Sequence, residues 1–306
     1  MSDPTSVPGA LWAWLRERFP PGPAALYAAA IFYAAWAGAG AVPDAPAPRW
    51  AGSAAGALIL VLALLHVRIF DEHKDFEDDR VAHPERLLSR GIVTLRQLRG
   101  LLVPVLALEA ALSAALGTAV FWAWLLLLGF TLAMRVDFGC RPFLARHPAA
   151  NLALHQLIVL PMVLLAAAER AGGRMPAPAW LPRLGLCALA VMGATVTWEI
   201  ARKTWSPGRE HARADSYSCA WGRGRAAAAA LATAGLGCGA WAGLLRWGGA
   251  STWALLPALL ALALLAIAEL RFLRDPTAGR SKRVELAGAL FALLSLIGGA
   301  AGILVS

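Results

Sequence analysis

The chain has 306 residues, 59% of them hydrophobic and 15% charged, with a mean hydropathy of +0.60. A soluble domain carries roughly 25% charged residues, so a soluble two-domain protein is excluded, as is a disordered or collagen-like chain. Nine spans of about 20 residues would occupy about 180 positions, close to the apolar total, and the net charge of +9 then reads as membrane topology rather than as a nucleic-acid partner.

Residues 1–9 are polar and contain prolines, without a basic segment leading into an apolar one, so no signal peptide is expected. Residues 11–20 predict a short amphipathic helix lying at the lipid interface: Trp12, Trp14 and Phe19 suit the boundary, and Arg16 and Arg18 suit lipid headgroups. Nine apolar runs follow, at about 24–42, 52–70, 96–116, 118–134, 150–168, 178–200, 226–245, 251–272 and 284–305. Their lengths fit helices and exclude barrel strands. The third and fourth meet at a tight joint, Gly117, and the small residues from Ala226 to Ala240 suit close helix packing. Cys140, Cys187, Cys219 and Cys238 form neither a CxxC pair nor a Cys/His metal spacing. Cys187 and Cys238 fall in apolar runs and are expected to be small core residues.

An odd number of spans puts the two termini on opposite sides. The N-terminal segment and the loops on its side then hold 23 of the 28 Lys and Arg residues. Such asymmetry orients the N-terminus and the long loops to the cytoplasm, with the C-terminus across the membrane. The expectation is an all-α polytopic protein forming a single integral membrane domain, 1–306, with residues 71–95 and 201–225 as cytoplasmic cap loops.

The unusual residues gather in those loops. The second span ends in Asp71-Glu72-His73-Lys74-Asp75-Phe76-Glu77-Asp78-Asp79-Arg80. If the helix continues, Asp71, Asp75 and Asp79 share one face, flanked by Glu72. Carboxylates so arranged repel one another, and a hard divalent cation is the simplest partner. Oxygen donors without Cys or paired His favour Mg²⁺, which takes one or two carboxylates plus phosphate oxygens. The alternative is a solvated acidic run. Arg80 and Pro84-Glu85-Arg86-Leu87-Leu88-Ser89-Arg90-Gly91 follow directly, and guanidinium groups grip phosphate in pairs of hydrogen bonds, although any single Arg there also satisfies the topology rule. Arg135 and Asp137 end the fourth span, either as an ion pair or with the cation facing the acidic cluster. Glu199-Ile200-Ala201-Arg202-Lys203 ends the sixth, followed by Glu210, Asp215 and Tyr217. Glu199 either pairs with Arg202 and Lys203 one turn on or holds metal while the cations hold phosphate. Glu109, Glu269, His66 and His155 lie in or beside spans. Glu109 lines a cavity or is held structurally, and His66 and His155 are read as structural.

Nine spans with an Asp-rich motif after the second and an acidic motif after the sixth resemble the UbiA superfamily of membrane prenyltransferases. The family's NDxxDxxxD appears here as Asp71-Glu72-x-x-Asp75-x-x-x-Asp79. Arg86-Leu87-Leu88-Ser89-Arg90-Gly91 is similar to its RPLPxG segment without the prolines, and Arg135 matches the basic residue ending its fourth span. The family's second DxxxD departs to Glu199-x-x-x-Lys203, resembling a divergent branch with a Glu-Ile-Ala-Arg-Lys string. The resemblance implies nine helices around a central cavity holding an isoprenyl diphosphate. Mg²⁺ would sit on Asp71, Glu72, Asp75, Asp79 and Glu199, with Arg86, Arg135, Arg202, Lys203 and Tyr217 toward the substrate. Ionisation of the diphosphate would be followed by transfer to an aromatic or lipid acceptor, or by cyclisation. A non-catalytic lipid-binding or transport protein is the third expectation.

Overall fold

The computed structural model describes residues 6–40, 47, 49–210 and 216–305. Helix α1 spans Val7–Arg18, α2 Pro21–Gly40, α3 Trp50–Lys74, α4 Phe76–Ala82, α5 Leu95–Leu116 and α6 Thr118–Arg135. Then come α7 Arg141–Arg146, α8 Pro148–Gln156, α9 Val159–Arg170, α10 Leu181–Arg202, α11 Tyr217–Trp221, α12 Arg223–Trp247, α13 Leu256–Arg274 and α14 Ala278–Leu304. No strand occurs among the described residues.

Local chemistry sets several of the boundaries. Thr94 starts α5 with a reciprocal cap: its Oγ1 accepts from Gln97 N (3.3 Å), and Gln97 Oε1 accepts from Thr94 N (2.8 Å). Thr277 caps α14 through Arg280 N. Gly117 forms the predicted joint at φ +129°, where a Cβ would meet Gly173 Cα at 2.7 Å.

Eight segments have the length and apolarity to cross a membrane, with α8 and α9 counted as one. The remaining predicted span is α2, 20 residues long, whose Pro, Gly, Tyr and Trp lower its hydropathy. It lies at the centre, packed on α3, α9, α10 and α14, with Trp36 and Phe32 fully buried. The protein is thus an all-α polytopic membrane protein. The predicted run 150–168 is divided at Leu157 and Ile158. Pro161 has no N–H to close the bond to the carbonyl at 157.

Two buried polar groups tie the bundle together. His66 on α3 pairs its Nδ1 with Glu109 Oε1 on α5 (2.9 Å) and its Nε2 with Thr131 Oγ1 on α6 (2.9 Å). Trp124 Nε1 on α6 donates to Glu109 Oε2 (2.8 Å). Every member has a partner, so Glu109 and His66 act as interhelical fastenings. At the other end, Trp36 Nε1 donates to Glu169 Oε2, Arg49 Nη2 lies 3.9 Å from Glu169 Oε1, and the Arg170 guanidinium stacks over the Trp36 ring.

Candidate functional site

Helix α3 carries the acidic motif out of the bundle. It ends at Lys74, bends at Asp75 and resumes as α4, so the motif is not one continuous helix. The register survives the bend: Asp75 N donates to Asp71 O (2.9 Å) and Asp79 N to Asp75 O (2.8 Å). The three aspartates therefore remain one turn apart, as their spacing predicts.

Arginines organise this motif. Glu72 is almost fully buried, and its Oε1 accepts from Arg18 Nε (2.7 Å), Arg68 Nε (3.0 Å) and Arg68 Nη2 (2.5 Å). Asp79 Oδ2 accepts from Arg86 Nη1, with Arg18 Nη2 at 3.7 Å from the same oxygen. Asp71 and Asp75 make no ion pair among the described residues. Burial, reinforced by the neighbouring Asp71 and Asp79 carboxylates, raises the Asp75 carboxyl to about 6. Burial lowers the Arg86 pKa below its usual value, with Arg18 adding to the effect, against the opposing pull of Asp79.

A second loop closes on the motif. Lys74 Nζ lies 2.5 Å from Asp137 Oδ1, and Arg141 lies 3.3 Å from Asp78 and 3.7 Å from Asp137. Asp137 and Phe138 have φ of +50° and +53°, unusual for residues with a Cβ. This left-handed turn sets the Phe138 ring edge-on against His155 on α8, at 5.5 Å between centroids. Asp137 thus pairs with Lys74 and Arg141, not with Arg135. Arg135 is exposed and sits over the Phe70 ring, 5.4 Å from its centroid. Of the four predicted substrate-binding cations, it is the one without a carboxylate partner among the described residues.

Helix α8 contacts both the Asp137 turn and α10. His155 touches Phe138, and the adjacent Gln156 accepts through Oε1 from Thr195 Oγ1 (2.9 Å), one turn before Glu199. Glu199 uses both oxygens in its own helix: Arg202 Nε and Nη2 lie 2.6 and 2.5 Å from Oε2, and Lys203 Nζ 3.2 Å from Oε1. The pairing one turn on is the arrangement that forms. Lys203 Nζ also lies 5.7 Å from the centre of the Tyr217 ring, and Tyr217 N donates to Lys203 O (3.0 Å). Glu210 pairs with Arg223 (3.5 Å), and Asp215 lies outside the described residues. Glu269, buried on α13, has no hydrogen-bond partner for either oxygen among the described residues.

Among the described residues, no three His, Cys, Asp or Glu side chains converge closely enough to hold a metal ion by themselves. The donors present are nevertheless hard oxygens, and among the described residues Glu72 and Asp79 each take their hydrogen bonds and ion pairs through one oxygen. Mg²⁺ bound by one or two carboxylates and completed by phosphate oxygens matches this donor set. Sequence reasoning missed Arg18, Arg68, Lys74 and Arg141. Arg68 was legible, four residues before Glu72; Arg18, 54 residues away, carries no local signal.

No family model matches the chain, and no curated protein sequence matches it. Solved structures do. A UbiA homologue from Aeropyrum pernix K1, in its apo form, superposes with a TM-score of 0.65 at 20% identity, covering 90% of this chain and 97% of its own. Digeranylgeranylglyceryl phosphate synthase gives 0.64 at 14% identity, covering 97% and 99%. A UbiA homologue from Archaeoglobus fulgidus bound to DMAPP and Mg²⁺ gives 0.52 at 17% identity, covering 96% and 99%. The chain has the fold of these UbiA homologues.

Proposed function

We propose that this chain, sharing the UbiA fold, is an Mg²⁺-dependent intramembrane prenyltransferase that ionises an isoprenyl diphosphate. The observation that carries the reading is the joining of an acidic motif, in which Glu72 and Asp79 are each paired through one oxygen and Asp71 and Asp75 make no ion pair among the described residues, to arginines at the same end of a membrane bundle. Its fold neighbour from Archaeoglobus fulgidus is bound to DMAPP and Mg²⁺, which supports the same ligand class here.

Asp71, Asp75 and Asp79 are the residues that would hold the metal, with Glu72 beside them. Mg²⁺, when bound, would supply charge neutralisation for the diphosphate. The protein's own cations do the rest. Arg135, exposed and without a carboxylate partner among the described residues, is the group best placed to take a diphosphate oxygen. Arg86, Arg202 and Lys203 add positive potential where negative charge develops on the leaving group. Glu199 holds Arg202 and Lys203 in place, and the Tyr217 ring, packed against Trp221, sets one side of Lys203. The apolar bundle keeps water from the allylic cation, and aromatic faces stabilise it.

The test is incubation of purified protein with geranyl, farnesyl and geranylgeranyl diphosphates, with and without a phenolic or lipid acceptor. Prenylated acceptor and released diphosphate are expected, and EDTA should abolish both until Mg²⁺ is restored. A cyclic hydrocarbon formed without acceptor would assign the same ionisation to a terpene cyclase. Binding without turnover of any diphosphate would leave a lipid-binding or transport protein.

A further inference from the structure

The sequence of α1 predicts a helix on the lipid surface, and its inner face packs against protein instead. Trp14 is fully buried in a cluster with Leu65, Ile69, Leu88 and Leu98, while Trp12 is half exposed. Glu17 Oε2 accepts from Leu87 N (3.2 Å), in the loop after the acidic motif. Arg18, at the end of the helix, then enters the motif itself, 2.7 Å from Glu72 Oε1 and 3.7 Å from Asp79 Oδ2.

We propose that Arg18 is a positioning residue of the divalent-cation site: from α1 it hydrogen-bonds Glu72 Oε1 and pairs its charge with Asp79 Oδ2 beside Arg86, and thereby helps to turn Asp79 Oδ1 toward the metal. This rests on the metal role given above to Asp79. The geometry is that of a supported ligand: Arg86 donates to Oδ2 with the Arg18 guanidinium 3.7 Å from the same oxygen, and among the described residues no side chain hydrogen-bonds to Oδ1. Carboxylates that ligate a metal through one oxygen are characteristically held by hydrogen bonds at the other, and loss of such a partner typically costs about 10- to 100-fold in metal affinity. Arg18 also neutralises Glu72, whose charge would otherwise add to the repulsion along the motif. Helix α1 is on this account part of the catalytic cap, docked by Trp14 and Glu17.

The test uses the full chain in lipid nanodiscs, with Mn²⁺ as the probe, followed by electron paramagnetic resonance. Arg18→Ala should weaken Mn²⁺ binding about tenfold and raise the Mg²⁺ needed for half-maximal turnover by a similar factor. The KM for allylic diphosphate at saturating Mg²⁺ should move less. Arg18→Lys should recover part of the affinity, and Arg16→Ala, which removes an exposed cation from the same helix, should leave it unchanged. Should Arg18→Ala fail to fold, Arg18→Lys and Glu17→Gln carry the measurement, each with a smaller loss of Mn²⁺ affinity. A folded Arg18→Ala protein with unchanged Mn²⁺ affinity would reduce α1 to an anchor and overturn the proposal. Tighter binding would also overturn it, by making Arg18 a competitor of the metal. Wild-type protein that binds no Mn²⁺ would remove the metal role as well, so the two failures are distinguishable.

Discussion

Asp75 sits at the bend between α3 and α4, one turn from a carboxylate on either side. Its pKa of about 6 is raised above the usual value near 4, so the folded protein holds this proton more tightly than the unfolded chain. The resulting stabilisation is complete below about pH 4 and is lost as pH rises through about 6. A divalent cation bound at this carboxylate would offset what is lost. Mg²⁺ should therefore raise the melting temperature more at pH 7.5 than at pH 5, and equal shifts at both would count against cation binding at Asp75. Asp75→Ala should abolish turnover of an allylic diphosphate with the fold retained, checked by product analysis beside circular dichroism. Glu109 is a residue of the other kind. Its contacts reach His66 and Trp124, and interhelical polar contacts average about 0.6 kcal/mol each. Glu109→Ala should cost about 2 kcal/mol once the unpaired His66 is included, read by thermal unfolding in detergent. The spacing of the aspartates was legible because an i, i+4 pattern is local. The partners of Glu72 were half legible, since Arg68 is one turn away and Arg18 is not.

Elements were read well where hydropathy alone decides them. The joint at Gly117 and the ends of α5 and α6 fell where the apolar runs stop. Two elements departed from expectation. Pro161 divided a run that hydropathy treats as continuous, and α1 turned Trp14 and Arg18 inward. A single amphipathic helix presents the same pattern to a lipid surface and to a protein groove; what it meets is a matter of tertiary structure. The small residues of α12 serve a close crossing with α10, where a Cβ on Gly237 would lie 3.1 Å from Gly193 Cα. Gly237→Val should cost about 1–3 kcal/mol by overpacking, whereas Gly235→Val, with nothing within 4 Å of its Cβ position, should cost much less. Paired melting curves decide it.

At the scale of the molecule, the charge pattern anticipates which segments meet. The segments bearing 23 of the 28 cations include α1, the acidic motif, the turn at Asp137 and the end of α10, and ion pairs link the first three. Arg49 and Glu169 pair separately. If the cation-rich face is cytoplasmic, Cys219, exposed in α11, should react with an impermeant maleimide in inside-out vesicles of a Cys140→Ser variant and remain unlabelled in right-side-out ones. The reverse pattern would invert the topology. The sequence by itself determined the all-α membrane class, most of the span boundaries to within a few residues, and the one-turn spacing of the aspartates. These depend on apolar run length and helical periodicity, both local. Only the tertiary structure decided that Arg18 reaches Glu72 and Asp79, that Asp137 belongs to Lys74, and that Glu199 keeps its cations to itself while Arg135 has no carboxylate partner among the described residues. Each of those outcomes is a choice among several oppositely charged partners, and it is made by which helix ends the packed bundle brings within reach.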